Sequence, residues 1–114
     1  MADGRPIMLL LYPVKDVAAS KAIYSEYLGV EPYVDDAYYV GLRVGDQEIG
    51  LVPSAVGQET PIAYIDVSDI RASLKDLVEA GAHIHEDVHE VGGGLQIATV
   101  QDPDGNVLGL RQSS

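Results

Sequence analysis

The stretch VKDVAASKAIYSEYLG, residues 14–29, predicts one helix with both of its ends marked. The Asp16 carboxylate is able to accept hydrogen bonds from the free backbone amides of a first helical turn. Apolar side chains then recur at helical spacing and form one broad face, and Gly29 supplies the left-handed residue at which helices often stop. The flanking sequence predicts an apolar strand before the helix and three strands after it, at residues 7–12, 32–35, 38–44 and 48–52. The order in this half is therefore β, α, β, β, β.

The same order recurs in the second half of the chain. A strand is predicted at residues 62–67, a helix follows Asp69 and runs up to Gly81, and three strands follow at residues 84–88, 95–100 and 107–111. Three positions of the first half match three of the second at one constant offset: Val14 with Val67, Asp16 with Asp69, and Ser20 with Ser73. An internal duplication explains this pattern. We predict a single domain over residues 1–114, with repeats at about 7–52 and 62–111 and a linker at 53–61.

Size and composition limit the classes of protein to consider. A chain of 114 residues is long enough for one hydrophobic core. No apolar run approaches the roughly 20 residues that a membrane-spanning helix needs. The first residues lack the charged and apolar regions of a secretory signal, so we expect a cytoplasmic protein.

The charge and the missing cysteines exclude several functions. The net charge of −11 repels phosphate-rich partners, so neither nucleic acid nor an anionic membrane is an expected partner. The absence of cysteine excludes disulfides, thiolate metal sites and cysteine nucleophiles.

Two motifs identify a family resemblance. The first has Val14, Asp16, Ser20, Tyr24 and Leu28-Gly29 at fixed spacing, and the second is the turn sequence DPDGN at residues 102–106. Together with the repeated βαβββ order, they resemble the vicinal oxygen chelate superfamily, which includes glyoxalases, bleomycin resistance proteins and extradiol dioxygenases. The resemblance implies an α+β fold in which two βαβββ repeats form curved mixed sheets around a shared cavity. It also implies a homodimer, which would protect exposed sheet edges.

The resemblance further implies a divalent metal held by up to four His, Gln or Glu side chains. Those ligands belong at the start of each half's first strand and within its last strand, which in this sequence are Leu9, Gly50, Ile62 and Gly109. None of these residues has a side-chain oxygen or nitrogen to coordinate a metal. We therefore predict no metal and no cofactor, and we disfavour the metal-dependent reactions of the superfamily.

Other residues offer weaker chemistry. His83 and His85 would share one face of a strand and could bind a metal opportunistically, with His89 nearby, but the spacing fixes no third ligand. Asp66 could act as a general base or attract a cation at the mouth of a cavity. We assign no catalytic residue.

These features favour a metal-free small-molecule binding protein that sequesters or senses a small apolar or cationic ligand. Gly50 and Gly109 would leave space where ligands of the metal project in relatives. The predicted ligand-binding residues are Leu9, Leu11, Tyr38, Gly50, Ile62, Tyr64, Asp66 and Gly109. Two alternatives remain open. One is a metal-independent lyase or isomerase that uses the same cavity, and the other is a non-catalytic interaction domain whose cavity is filled.

Overall fold

The computed structural model describes residues 4–55 and 58–113. Residues 56 and 57 of the predicted linker lie outside the described part, as do residues 1–3 and 114 of the predicted domain. The described chain forms two compact units. We call residues 8–62 the first unit, and residues 63–113 together with 4–7 the second unit, and we assign β1 and β5 each to the unit that holds all but the first of its residues.

The first unit has the βαβββ order that its sequence predicts. Its elements are β1 (Ile7–Val14), α1 (Val17–Leu28), β2 (Val34–Asp35), β3 (Val40–Val44) and β4 (Gln47–Pro53). The strands lie in the order β2-β3-β4-β1, with β1 parallel to β4 and the other neighbours antiparallel. The Asp16 carboxylate accepts a hydrogen bond of 3.0 Å from the Ala19 amide, and Gly29 has a φ of 73°. Both predicted ends of the helix are therefore correct.

The core of the first unit lies between α1 and one face of its sheet. Val40, Leu42 and Leu51 are buried there. The rings of Tyr12 on β1 and Tyr24 on α1 stack with 5.8 Å between their centroids and 4° between their planes. Since aromatic side chains bury more area than aliphatic ones, this pair fills much of the space between helix and strand.

The second unit repeats the arrangement. Its elements are β5 (Ile62–Asp66), α2 (Ile70–Glu79), β6 (His83–Glu90), β7 (Gln96–Gln101) and β8 (Val107–Gln112). The strand order is β5-β8-β7-β6, with β5 parallel to β8. The Asp69 carboxylate caps α2 at the Ala72 amide, at 3.1 Å. The helix covers a core of buried side chains, namely Ile70, Leu74, Ala98, Val100 and Leu110. The α+β fold class is confirmed.

The DPDGN turn positions β8. The Asp102 carboxylate accepts hydrogen bonds of 2.9 Å from the backbone amides of Asp104 and Asn106 and from the Asn106 side-chain amide. Gly105 has a φ of 89°, which a residue with a side chain rarely adopts. The motif therefore fixes the direction in which β8 leaves the turn.

Two predicted strands begin two residues later than the sequence suggests, and the first of them, predicted at residues 32–35, is β2 at Val34–Asp35. Residues 38–44 were expected to form a strand, but β3 starts at Val40. The cause is the Asp36 carboxylate, which accepts hydrogen bonds from the Tyr38 amide at 2.8 Å and the Tyr39 amide at 2.7 Å. These contacts hold a turn and keep Tyr38 out of the sheet. No helix among the described residues is long and apolar enough to cross a membrane.

Candidate functional site

The sheet of each unit has one face covered by its helix and an opposite face, which we call the glycine face. In the first unit, Leu11, Gly50 and Gly41 are neighbours in register across β1, β4 and β3. A Cβ atom at Gly50 would lie 2.7 Å from the Tyr39 hydroxyl oxygen and 2.9 Å from Leu11 Cδ1. A Cβ atom at Gly41 would lie 2.7 Å from Tyr33 Cζ. Side chains from neighbouring positions therefore cover both glycines.

The glycine face of the second unit follows the same plan. Tyr64, Gly109 and Thr99 are neighbours in register across β5, β8 and β7. A Cβ atom at Gly109 would overlap the Tyr64 ring, because three ring carbons of Tyr64 occupy that place. Tyr64 is only 5% exposed. The open space predicted at Gly50 and Gly109 is therefore not found, since tyrosine side chains fill it.

A polar cluster of Tyr33, Arg43 and Glu48 lies on the glycine face of the first unit. The Tyr33 hydroxyl donates a short hydrogen bond to Glu48 Oε1. The Arg43 guanidinium lies 4.6 Å from the centroid of the Tyr33 ring, and its Nη2 lies 3.6 Å from Glu48 Oε1. A cation over a phenol ring is attracted by the electron-rich ring face. We call these three residues the Tyr33 cluster.

Sequence reasoning missed the Tyr33 cluster, although one signal pointed to it. Glu48 precedes Gly50 by two residues on β4, so strand alternation puts both on one face. The Glu48 side chain is 14% exposed and so is largely withdrawn from water. A nearly buried carboxylate that contacts a phenol and a guanidinium is a site with directional hydrogen-bonding chemistry.

Asp66 is already committed to an ion pair. Arg111 donates two hydrogen bonds to its carboxylate, from Nε to Oδ1 at 2.6 Å and from Nη2 to Oδ2 at 3.1 Å. A guanidinium held in this two-pronged geometry balances the charge of the carboxylate. The structure therefore does not support the predicted roles of Asp66 as a base or as an attractor of cations.

Tyr38 also lies elsewhere than the sequence predicts. It is 79% exposed and belongs to the turn before β3, while Tyr39 is the residue that covers Gly50. Of the other predicted residues, Leu9 is buried and Leu11 and Ile62 are half-buried. The structure brings Leu11 against Gly50 in the first unit and Tyr64 against Gly109 in the second.

The histidines of β6 have local partners. His85 Nδ1 lies 3.1 Å from the hydroxyl of the buried Thr99, and His89 Nδ1 lies 2.9 Å from the Asp87 carbonyl oxygen. Among the residues that the structure describes, no group of three or more His, Cys, Asp or Glu side chains could hold a metal. The opportunistic site considered for His83, His85 and His89 therefore has no geometric support there.

Comparison with known families decides what kind of protein has this fold. The family model described as the Glyoxalase/Bleomycin resistance protein/Dioxygenase superfamily matches residues 7–110. The chain belongs to this superfamily. A search of curated proteins found no match.

Solved structures with the superfamily fold are distant in sequence. A hypothetical protein from Bacillus halodurans C-125 is 14% identical, with a TM-score of 0.81, and the match covers 98% of this chain and 96% of that one. A superfamily member from Vibrio splendidus 12B01 is 18% identical, with a TM-score of 0.75 and coverage of 97% and 100%. A Streptomyces coelicolor methylmalonyl-CoA epimerase variant with 2-nitronate-propionyl-CoA is 16% identical, with a TM-score of 0.73 and coverage of 96% and 94%. At these identities the likeness establishes the fold alone.

The metal that the superfamily resemblance implies does not fit the four positions at which the resemblance places its ligands. The side chains of Leu9, Gly50, Ile62 and Gly109 carry no donor atoms. At the two glycines, side chains of Tyr39, Leu11 and Tyr64 occupy the place of a Cβ atom. A divalent ion needs several oxygen or nitrogen ligands that converge on one point, and these four positions supply none. We derive no chemistry through a metal.

The Tyr33 cluster predicts a measurable pH dependence. Burial, then the hydrogen bond to Glu48, raises the pKa of Tyr33 above its ordinary value of 10.0, because both disfavour the phenolate. The stabilisation from the protonated phenol is complete below pH 10.0 and is lost as the pH rises through the raised pKa of the folded state.

In an ultraviolet titration of the folded protein, we expect Tyr33→Phe to remove a late-ionising phenol. Tyr27→Phe, at a side chain 90% exposed, is the control for the loss of one tyrosine. Identical titration curves for Tyr33→Phe and Tyr27→Phe would contradict the expectation.

Proposed function

We propose that this superfamily member binds a small molecule without a metal ion, and that it sequesters or senses that molecule. The observation that carries the proposal is that tyrosine side chains cover the two glycines that stand at positions of metal ligands. At Gly50 and Gly109, where the superfamily resemblance places ligands of a metal, the covering side chains include Tyr39 and Tyr64. Pockets for small molecules are mostly apolar with a few polar groups that fix orientation, and the glycine face of the first unit places Leu11 and two glycines beside the Tyr33 cluster.

The expected ligand is small and largely apolar, with at least one hydrogen-bonding group. Tyr33 is 44% exposed and presents part of its ring to a ligand. The exposed guanidinium of Arg43 supplies hydrogen-bond donors beside that ring. The predicted preference for a cation loses its support at Asp66, which Arg111 already pairs. We therefore place recognition at the Tyr33 cluster.

The charge of the chain argues against a coenzyme A thioester as the ligand. The epimerase structures of the same fold hold such molecules, for example methylmalonyl-CoA. Coenzyme A carries several phosphate groups, and a protein with a net charge of −11 repels polyanions at long range. We expect methylmalonyl-CoA to show no saturable binding in a calorimetric titration at low ionic strength.

One observation favours a metal-independent enzyme as a second candidate. A carboxylate that accepts a hydrogen bond from a phenol is a pair through which protons can move, and Tyr33 with Glu48 is such a pair. The two functions differ in the fate of the ligand. Mass analysis after prolonged incubation would return the ligand unchanged from a binding protein and altered from an enzyme.

The test of the proposal begins with a thermal-shift screen of small, mostly apolar molecules in the presence of a chelator. Each compound that stabilises the protein is then titrated against Tyr33→Phe and Arg43→Met, with Tyr27→Phe as the matched control. Loss of one hydrogen bond should weaken binding by about 2- to 10-fold in the first two variants and leave the control unchanged. If no compound binds in the chelator, or if both variants bind as tightly as the control, the proposal is wrong.

We further propose that the protein is a homodimer. Strand β6 lies at the edge of the sheet of the second unit, is 8 residues long, and is exposed at nearly every position. Long exposed edges tend to pair with another chain, and symmetric dimers are the commonest oligomers. Light scattering should give about twice the chain mass of 12.2 kDa. A monomer throughout the micromolar range would contradict this.

A further inference from the structure

The two units differ in how they fill the space between helix and sheet. In the first unit, the stacked rings of Tyr12 and Tyr24 bridge β1 and α1. The offset that relates Asp16 to Asp69 and Ser20 to Ser73 relates Tyr12 to Ile65 and Tyr24 to Leu77. The second unit therefore has two aliphatic side chains where the first unit has two phenol rings.

A groove lies in the second unit at the place of this replacement. Its volume is about 250 Å³, and both Ile65 and Leu77 line it. Its other apolar lining residues are Val67, Leu108 and Leu110. Leu110 belongs to the buried core of the second unit, and Val67 and Leu108 pack against that core. The groove is on the helix side of the sheet, so it is separate from the glycine face to which the proposed function belongs.

Three polar side chains also line the groove, namely Arg5, Ser73 and Asp76. Arg5 and Asp76 are exposed, and none of the described residues forms an ion pair with either of them. A carboxylate in this position is able to accept a hydrogen bond from a ligand hydroxyl. A guanidinium is able to lie over an aromatic ring. The groove thus combines apolar walls with an acceptor and a cation.

We propose that this groove is a binding site for single-ring phenols. The first unit fills the equivalent space with phenol rings of its own, so the backbone framework of the repeat accommodates that shape. In the second unit a free phenol would pack its ring against Ile65 and Leu77 and donate its hydroxyl to the Asp76 carboxylate. Burial of the ring in an apolar groove provides the main driving force.

The first experiment uses p-cresol, which is the tyrosine side chain without its backbone. It is titrated into the protein while methyl resonances are followed by NMR, and we expect saturation with a dissociation constant on the order of 1 mM. The methyl groups of Ile65, Leu77, Leu108 and Leu110 should shift. Ile49 and Leu51 of the first unit are equivalent to Leu108 and Leu110. Their methyl groups serve as the internal control and should not shift. Toluene, which lacks the hydroxyl, should bind several-fold more weakly.

The second experiment exchanges the two fillings. Ile65→Tyr with Leu77→Tyr rebuilds the tyrosine pair in the second unit and should abolish p-cresol binding. Tyr12→Ile with Tyr24→Leu opens the first unit and should add a second site, so the stoichiometry rises from one to two; this second site should be several-fold weaker, because Ile23 stands at the position equivalent to Asp76. The proposal is overturned if the wild-type protein shows no saturable shifts, or if the shifts fall on methyl groups outside the groove. It is also overturned if the rebuilt variant folds and binds p-cresol unchanged. If a variant does not fold, the wild-type methyl map still decides.

Discussion

Replacing Tyr64 with alanine is expected to lower the free energy of unfolding by about 3–5 kcal/mol, as for other buried aromatic side chains. Tyr64 is 5% exposed, and its ring occupies the space above Gly109. Because Gly109 has no side chain to move into the gap, alanine would leave a cavity over β5 and β8, on the glycine face. Urea denaturation followed by circular dichroism measures the loss.

The control for this prediction is Tyr27→Ala. Tyr27 lies on α1 and is 90% exposed, so its replacement should change stability by no more than about 0.5 kcal/mol. If Tyr64→Ala costs as little as Tyr27→Ala, the Tyr64 ring does not hold the glycine face together.

A second large effect is expected when Gly109 receives a side chain. Gly109→Leu should destabilise the fold by about 1–3 kcal/mol, because the new side chain and the Tyr64 ring compete for the same space. The equivalent change at Gly50 should cost less. There, the obstructing atoms are the tips of the Tyr39 and Leu11 side chains, which move more easily than the whole Tyr64 ring.

The competition for space makes the two substitutions in the second unit interdependent. In the double variant Tyr64→Ala, Gly109→Leu, the leucine would occupy part of the cavity, so the combined loss should be smaller than the sum of the single losses. Residues in direct contact typically show coupling of about 0.5–3 kcal/mol. Strictly additive losses would show that the contact between Tyr64 and Gly109 is unimportant for stability.

The elements of the fold were largely predictable because their signals are local. Asp16 and Asp69 each cap a helix that begins one residue later, and Gly29 ends the first helix in the left-handed conformation. The internal repeat then supplies the order of the strands. Such signals depend on a few neighbouring residues, so they can be recognised in the sequence without knowledge of tertiary contacts.

The candidate site was less predictable because it depends on register and on pairing between strands. The hydrogen bonds from Tyr38 and Tyr39 to Asp36 decide which tyrosine reaches Gly50. A shift of one residue exchanges the two faces of a strand, so the sequence pattern predicts Tyr38 at the position where Tyr39 lies. The ion pair between Asp66 and Arg111 joins residues far apart in sequence, so no local sequence pattern predicts it.

The groove in the second unit illustrates an intermediate case. The replacement of Tyr12 by Ile65 and of Tyr24 by Leu77 is visible once the repeat is aligned. The stacking of the two rings and the space beside Ile65 depend on how helix and sheet pack, which the sequence does not specify. Aligned repeats therefore locate a difference whose physical consequence only the structure reveals.

Metal binding is the property that tests a metal-free site most directly, because the superfamily resemblance implies a metal and the side chains of Leu9, Gly50, Ile62 and Gly109 offer no donors. The protein is incubated with zinc, manganese, iron and cobalt salts in turn, freed of unbound ions by gel filtration, and subjected to elemental analysis. For a metal-free site we expect well under one ion per chain, and a melting temperature that a chelator leaves unchanged. One tightly held ion per chain, with a melting temperature that falls on chelation, would contradict it.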